Sequence, residues 1–450
     1  MTDQVSESQS AAPRVLVLGM GSTGASVARF LGARGGQAVF FDTREAAPGG
    51  AEISAALPDA VMHTGPDLPP LPHTVERVIV SPGVPLDLPV LVTARARGLT
   101  IASDIDLFMQ ECRAPVIAIT GSNGKSTVTA MTAAMLESAG WRAPAGANFG
   151  PPALDLLDPR ADAYVLELSS FQLERSRPVS AAAAVLLNFS PDHLDSHGDL
   201  ESYSAAKRRV YAACKHAVIN RDVPEIVADL PASAGVSGFT LGPPGPDDFG
   251  ILQHAGAAWL GCGERPLLPV SDLQISGRHN HANALAALAL ATALGADPLS
   301  LIPGLRQFSG LPHRLQCIAQ HDGIAWVDDS KATNVGAAVT SIASIDGPLV
   351  LIAGGDAKGA GFAALADALR GRAARTVLMG RDQALLAAAL EPVCELALAA
   401  DMPAAVALAA SFAQPGATVL LAPACSSLDM YASYAARGDA FRQAVEAHYA

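Results

Sequence analysis

The chain has 450 residues, half of them hydrophobic and only 16% charged, with a formal net charge of -13. That length suits about three domains, and the apolar content is ample for sizeable cores. The acidic balance, with no run of Lys or Arg longer than Lys207-Arg208-Arg209, argues against nucleic acid or anionic membranes as partners.

Six dispersed cysteines with no CxxC pair fit reduced thiols and not a disulfide framework or a zinc site. The opening MTDQVSESQSAAP is polar and lacks the basic-then-apolar pattern of a leader. The longest apolar run, near Ala282 to Ala296, is too short for a membrane span. A soluble cytoplasmic monomer acting on small molecules is the expectation, and an anionic substrate would need positive charge gathered locally.

Arg14 to Asp42 reads strand, glycine turn, helix, strand. Gly19-Met20-Gly21-Ser22-Thr23-Gly24 follows the first strand and opens the helix, and Asp42 ends the next strand. This is the dinucleotide fingerprint: a tight turn, a diphosphate at the helix N-terminus and an acid on the ribose. Those features specify only a diphosphate and a ribose, so a sugar nucleotide, NAD(P), a flavin and mere close packing all stay open.

The next block, from about Pro115 to Asn220, opens with VIAITGSNGKSTVTAMTAAML (Val116 to Leu136). A full P-loop has a glycine five positions before the Gly-Lys pair, but Ile119 stands there. The working groups remain: Gly121, Ser122, Asn123 and Gly124 for backbone donors, Lys125 for β/γ oxygens, and Ser126 or Thr127 for Mg²⁺. An ATP loop is expected. Such a loop needs a carboxylate, and AYVLELSSFQLE supplies Glu167 at the end of an apolar strand, where an unpartnered charge is costly; a salt-bridged strand end is the alternative.

The following strand runs into NFSPDHLDSHG, placing His193 in a loop at its carboxyl end, as a metal or substrate ligand or as an ordinary surface histidine. ESYSAAKRRVYAACKH reads as a helix. Tyr203, Lys207, Val210, Tyr211 and Cys214 share one face, with Lys207 the one charge among aromatics. It is either a snorkelling lysine or a partly desolvated, reactive amine that a CO₂ adduct could turn into a carbamate ligand.

Phe239 to Gly261 suggests short antiparallel strands, and Asn283 to Leu294 an Ala/Leu-rich helix. From Ala325 onward come strands WVDD, LVLIAGG, TVLMG and TVLLAPA, each followed by a helical pattern. Strands alternating with helices predict an α/β protein with parallel sheets. Boundaries near 103 and 310 give domains 1–103, 104–310 and 311–450.

TGSNGKST, LELSSFQLE, NFSPDHLD, YSAAKRRVY, SGRHNHANALAA, GLPHR, DDSKATN, LIAGGDAK and APACSSLD occur in this order. Together, over about residues 14 to 442, they resemble the Mur ligases, and within them the branch that adds D-glutamate to UDP-N-acetylmuramoyl-L-alanine with ATP. Any one motif is weak; nine in order are specific.

The resemblance implies an N-terminal Rossmann-like domain for UDP, a central P-loop domain with a small antiparallel extension for ATP, and a C-terminal Rossmann-like domain for the amino acid. Ser22, Thr23, Asp42, Thr43, Arg44, Ser81 and Gly83 match the UDP site, and Asn148 a contact to the substrate's acyl chain. Gly121 to Thr127 match the ATP loop, Asn280 and Asn283 adenine contacts, and Arg314 and Asp329 groups closing over ATP. Ser126, Glu167, His193 and a carboxylated Lys207 match ligands of two Mg²⁺ ions. Lys331 matches a catalytic lysine, and Thr333, Lys358, Ser427, Leu428 and Tyr434 the D-glutamate side. Asp328, where the family often has Asn, and Tyr434, where Phe is frequent, are departures.

The implied reaction forms an acyl phosphate from the L-alanine carboxylate and then an amide with D-glutamate. Lys125, Lys331 and magnesium would neutralise charge, His193 or a carboxylate would take the ammonium proton, and domain closure would precede chemistry. A sister ligase using another amino acid or folate, a non-catalytic nucleotide-binding regulator and a dehydrogenase are the competing readings.

Overall fold

The computed structural model describes residues 14–189, 199–224, 230–275, 277–372 and 374–450. The chain divides into two compact units, Met1–Phe308 and Ser309–Ala450.

The first unit begins with β1 (Val15–Leu18), β2 (Ala38–Asp42), β3 (Val61–Thr64), β4 (Arg77–Val80) and β5 (Thr100–Ala102), which form one sheet in the order β3-β2-β1-β4-β5. All its pairings are parallel. The VLVL, AVFFD and VIV runs are continuously apolar because helices cover both faces of such a sheet. The order reverses between β1 and β4, so a crevice opens outside their carboxyl ends, where α/β sheets take ligands.

The second sheet comprises β6 (Val116–Thr120), β7 (Ala145–Ala147), β8 (Tyr164–Glu167), β9 (Ala183–Leu186), β10 (His216–Asn220), β11 (Gly235–Phe239), β12 (Phe249–His254), β13 (Ala257–Cys262) and β14 (Arg265–Pro269). Its order is β14-β13-β12-β11-β10-β9-β6-β8-β7. The antiparallel extension is present but lies further along the chain than the sequence suggests, over 249–269 and not 239–261: β11 runs parallel to β10, and β12 parallel to β11. Only β12–β13 and β13–β14 are antiparallel. Ala255 and Gly256, at φ +52° and +78°, make the two-residue turn that matches hairpin twist.

The helix read over 201–216 is shorter. It spans Leu200–Arg208, tightens to a 3₁₀ turn over Arg209–Tyr211, and gives way to β10 at His216. The Tyr211 hydroxyl accepts from Leu186 N and donates to Val218 O, both at 2.9 Å. That bridge between β9 and β10 fixes where the helix must end.

One apolar cluster, including Val17, Phe40, Phe108, Tyr164 and Leu186, is shared by elements of both sheets of this unit. Phe108 meets Tyr164 edge to face at 5.0 Å.

The second unit holds β15 (Gln316–His321), β16 (Ile324–Asp328), β17 (Leu349–Gly354), β18 (Ala374–Met379), β19 (Glu395–Leu398) and β20 (Thr418–Leu421), ordered β15-β16-β20-β17-β18-β19. The pairings are parallel except β15–β16, a hairpin turned by Asp322-Gly323. Separate apolar clusters cover its two faces. β16, β20 and β17 are adjacent, so the loops that follow them leave the same edge side by side.

No helix among the described residues is long and apolar enough to cross a membrane, and all six cysteines are free.

Candidate active site

At the switch point of the first sheet lies a cavity of about 480 Å³. Gly19 turns at φ +94°, and a Cβ there would sit 2.8 Å from Ser81. At Gly24 a Cβ would come within 2.2 Å of Gly19 O. Both glycines are therefore needed for close packing around the turn. The cavity brings together all eight residues expected on the UDP side: Ser22, Thr23, Asp42, Thr43, Arg44, Ser81, Gly83 and Asn148.

Asp42 is already engaged by its own loop. Its Oδ2 accepts from Met20 N at 2.7 Å and from Arg44 Nη2 at 2.6 Å, and its Oδ1 accepts from Arg44 N and Nε at 2.9 Å. The Arg44 guanidinium, helped by the two backbone donors, holds this carboxyl down at about 2.

In the second sheet, β6 delivers the loop Gly121–Gly124, and the helix Lys125–Ser138 follows. Gly124 turns at φ +82° with Asn283 so close that a Cβ would lie 2.5 Å from its Oδ1. Asn283 donates to Asn280 Oδ1 at 3.1 Å, so the two expected adenine contacts form a pair beside the loop. Ser126 and Thr127 are buried at the start of the helix.

Lys125 Nζ donates to Gly121 O at 2.8 Å and Ser122 O at 3.0 Å. Lys207 Nζ donates to the same Gly121 oxygen at 2.8 Å and lies 4.6 Å from the Tyr203 ring centre. Lys207 is 2% exposed, and Tyr203, Val210, Tyr211 and Cys214 of its face are all buried. It does not snorkel. Two amines thus converge on one carbonyl oxygen at the phosphate loop.

Glu167 is 2% exposed and lies beside Ile119 in the parallel register. Its Oε1 accepts from Asn148 Nδ2 at 2.5 Å, and among the described residues its Oε2 has no hydrogen-bond partner. A buried carboxylate oxygen left in that state suits a cation. His193 lies outside the described residues.

In the second unit, Lys331 Nζ stands 4.1 Å above the Tyr434 ring, and Ser330 Oγ donates to Tyr434 O at 2.7 Å. The loops after β17 and β20 pair as a bridge, Asp356 with Ser426, which sets Lys358 and Ser427 on neighbouring segments. Ser427 is buried, Thr333 half-buried, and Leu428 exposed. Asp329 accepts from Ser341 Oγ and from Leu315 N at 3.3 Å. Burial, outweighing the Ser341 bond and the nearby Arg314, lifts its carboxyl to about 6. Asp328 is fully buried; its Oδ2 meets His313 Nδ1 at 2.7 Å and its Oδ1 accepts from Ser330 N at 2.9 Å. The carboxylate at this departure is therefore fully used inside the unit.

Three family descriptions match the chain: the Mur ligase MurD-like N-terminal domain over residues 13–103, the Mur ligase middle domain over 119–291, and the Mur ligase glutamate ligase domain over 313–425. The chain is 47% identical over 433 residues to UDP-N-acetylmuramoylalanine–D-glutamate ligase of Nitrosococcus oceani, covering 96% of each. It is 45% identical to the enzyme of that name from Methylococcus capsulatus, covering 96% of this chain and 94% of that one. This chain belongs to the Mur ligase family.

Solved Mur ligases share the fold. UDP-N-acetylmuramate-alanine ligase of Thermotoga maritima aligns with a TM-score of 0.62 at 18% identity, covering 97% of this chain and 99% of that one. MurF ligase of the same organism, solved in complex with ADP, aligns with a TM-score of 0.59 at 17% identity, covering 92% and 96%.

Three residues of this Mur ligase escaped the sequence reading. Asn188, just past β9, clamps the phosphate loop: its Oδ1 accepts from Asn123 N at 2.8 Å and its Nδ2 donates to Asn123 O at 3.0 Å. Gln172 lines the first cavity. Arg437 is 2% exposed and donates to Ser330 Oγ and O, Gly354 O and Cys425 O, gathering the loops after β16, β17 and β20. Burial pulls its guanidinium down to about 10. The sequence shows that Asn188 follows a buried strand, but its place at the phosphate loop depends on β9 lying beside β6.

Proposed function

We propose that this chain joins D-glutamate to UDP-N-acetylmuramoyl-L-alanine at the expense of ATP, in the making of peptidoglycan precursors. The carrying observation is Asn148. It lines the cavity of the first sheet and also donates to Glu167 beside the phosphate loop. A substrate whose UDP part fills that cavity would have its free carboxylate delivered to the loop that receives the γ-phosphate. The names of the relatives, at 42–47% identity over nearly the whole chain, support the same reaction.

In this reading an oxygen of the L-alanine carboxylate attacks the γ-phosphorus, and the bond from that phosphorus to the ADP oxygen breaks. The amine of D-glutamate, after giving a proton to His193 or a neighbouring carboxylate, attacks the carbonyl carbon of the acyl phosphate. The carbon–oxygen bond then breaks, releasing inorganic phosphate and leaving the amide. A carboxylate has no leaving group of its own, which is why phosphorylation must come first.

Both attacking partners approach anions, so positioning and charge neutralisation dominate. Lys125 would move from the Gly121 and Ser122 carbonyls to the phosphates, while the loop N–H groups, held by Asn188, receive phosphate oxygens. Magnesium, when bound, would neutralise the triphosphate; Ser126, Glu167, His193 and a carbamate on Lys207 are the residues that would hold it. The orphan Oε2 of Glu167 fits that role. Lys207, buried with its Nζ on Gly121 O at the phosphate loop, is placed where a CO₂ adduct would add a carboxylate to that set.

Lys331, Thr333, Lys358, Ser427, Leu428 and Tyr434 are assigned to the D-glutamate side. The three-domain division at 103 and 310 goes with this assignment. ATP as a substrate and six free thiols support a cytoplasmic enzyme, and a monomer acting on small molecules is the reading kept.

The test is inorganic phosphate release with UDP-N-acetylmuramoyl-L-alanine, ATP, magnesium, bicarbonate and D-glutamate, each omitted in turn. The reading expects release only in the complete mixture and no release with other amino acids in place of D-glutamate. Equal release with another amino acid would reassign the substrate.

A further inference from the structure

The helix Ser170–Arg175 begins three residues after Glu167 and is clamped at both ends. Its start carries a capping box: Ser169 Oγ accepts from Gln172 N at 3.2 Å, and Gln172 Oε1 accepts from Ser169 N at 3.0 Å. Its end is held by Arg209, two positions beyond Lys207, whose Nε donates to Leu173 O and Nη2 to Ser176 O, both at 2.7 Å. The helix is thus fixed to the elements that carry Glu167 and Lys207.

One side chain reaches from this helix to the first sheet. The Arg175 side chain is 8% exposed. It donates Nη1 to Phe171 O at 3.2 Å, lies 5.5 Å from the Phe171 ring centre, and sends Nη2 to Val84 O at 2.8 Å. The neighbouring Glu174, 3.3 Å from Nη1 and 41% exposed, offsets part of the charge.

Val84 belongs to the segment Ser81–Pro85, one wall of the nucleotide cavity. On its other side this wall presses on Gly19, where a Cβ would lie 2.8 Å from Ser81 and 3.1 Å from Val84. Two of its five residues are prolines, which have no N–H to donate. Its internal order rests on the turn from Val84 N to Ser81 O at 3.1 Å. Its Ser81 end is tied to the first strand, N donating to Leu18 O at 2.9 Å and Oγ to Gly19 O at 3.3 Å, and Arg175 adds a tie at the Val84 end, its planar guanidinium spanning two carbonyls beside a ring.

We propose that Arg175 is a positioning residue for the nucleotide-sugar substrate: it holds the Ser81–Pro85 wall at a fixed distance from the helix that follows Glu167. The proposal rests on reading the first cavity as the UDP-sugar site. Without the arginine the Val84 end of the wall loses its tie to that helix while the Ser81 end stays on the first strand, so affinity for the sugar nucleotide falls and the phosphate loop is untouched.

The test uses Arg175→Ala, Arg175→Gln and Arg175→Lys in the full chain, with calorimetric binding of UDP-N-acetylmuramoyl-L-alanine and steady-state constants for each substrate. In Arg175→Ala the Kd and KM for the sugar nucleotide should rise roughly tenfold, as for loss of one charged hydrogen bond. The kcat and the KM for ATP should stay within about twofold, and Arg175→Lys should recover part of the loss. An unchanged Kd overturns the proposal, and so does a parallel loss of ATP affinity. If the alanine variant does not fold, Arg175→Gln is judged by the same two criteria. Wild-type protein that binds no sugar nucleotide would refute the cavity assignment itself; wild-type binding with unaffected variants refutes only the role of Arg175.

Discussion

The two glycine loops of the first unit are built alike and surrounded differently. Each follows an inner strand of a parallel sheet and opens a helix with its backbone N–H groups forward, at Gly19–Gly24 and at Gly121–Gly124. Around the first, the acid Asp42 is spent on Met20 N and Arg44, leaving a cavity with settled charges. Around the second, two lysines share one carbonyl oxygen and a buried carboxylate keeps an oxygen without a partner among the described residues. The first loop is finished as a binding surface; the second is poised to accept more charge. A glycine turn at a helix N-terminus therefore says where an anion sits, and the neighbouring side chains decide whether it is held or spent.

The sharpest way to break that contrast is to remove the charges of the second loop. Lys207→Ala should lower kcat roughly a thousandfold, in the range seen when a transition-state electrostatic group is lost, and a short carboxylic acid such as acetate should restore part of it. Wild-type turnover in that variant would remove the carbamate. Lys125→Ala should reduce ATP-dependent phosphate release roughly a hundredfold or more, while calorimetric binding of the sugar nucleotide to the first cavity stays unchanged. Loss of both would mean the loops are not separable.

Smaller effects come from the connection between the two sheets. Asp104 opens the helix Asp104–Glu111, is 2% exposed, and has an Oδ1 without a hydrogen-bond partner among the described residues. Burial lifts its carboxyl to about 6. A folded-state value above the unfolded one means the folded chain holds this proton more tightly. The associated stability is fully present below about pH 4 and is lost as pH rises through about 6. Asp104→Asn should therefore stabilise the protein more at pH 7.5 than at pH 4, by on the order of 3 kcal/mol, read from urea unfolding at both values. A pH-independent difference would contradict the burial argument.

The smallest effect concerns Ala147, which lines the cavity at φ +83°, a conformation that costs a residue with a Cβ on the order of 1 kcal/mol. Ala147→Gly should raise stability by up to that amount, less the added flexibility of glycine, with KM for the sugar nucleotide within about twofold. A clear loss of stability would show that the turn is not strained.

Much of this was legible in the sequence because it is local. Apolar runs such as VLVL and LVLIAG marked buried parallel strands, the two glycine loops marked their own turns, and the four-and-three spacing from Tyr203 to Cys214 put Lys207 on a buried face. The antiparallel strands begin about ten residues later than the spacing suggests, since nothing in the composition of β11 or β12 shows strand direction. Asp322-Gly323 did carry a hairpin signal that went unused. What stayed hidden were partners far apart in the chain: Asn188 on the phosphate loop, Arg175 on Val84, and Arg437 on three loops at once. Each is a polar residue whose meaning depends on which strand end the topology places beside it, and periodicity carries no information about that.

The central claim, that the nucleotide is spent on activating a carboxylate, is tested most directly by isotope transfer. UDP-N-acetylmuramoyl-L-alanine carrying ¹⁸O in both oxygens of its alanine carboxylate would be turned over with ATP and D-glutamate, and the released phosphate analysed by mass spectrometry. The account predicts one labelled oxygen in each inorganic phosphate and the other retained in the new amide. Phosphate without label, alongside normal formation of the amide, would contradict it.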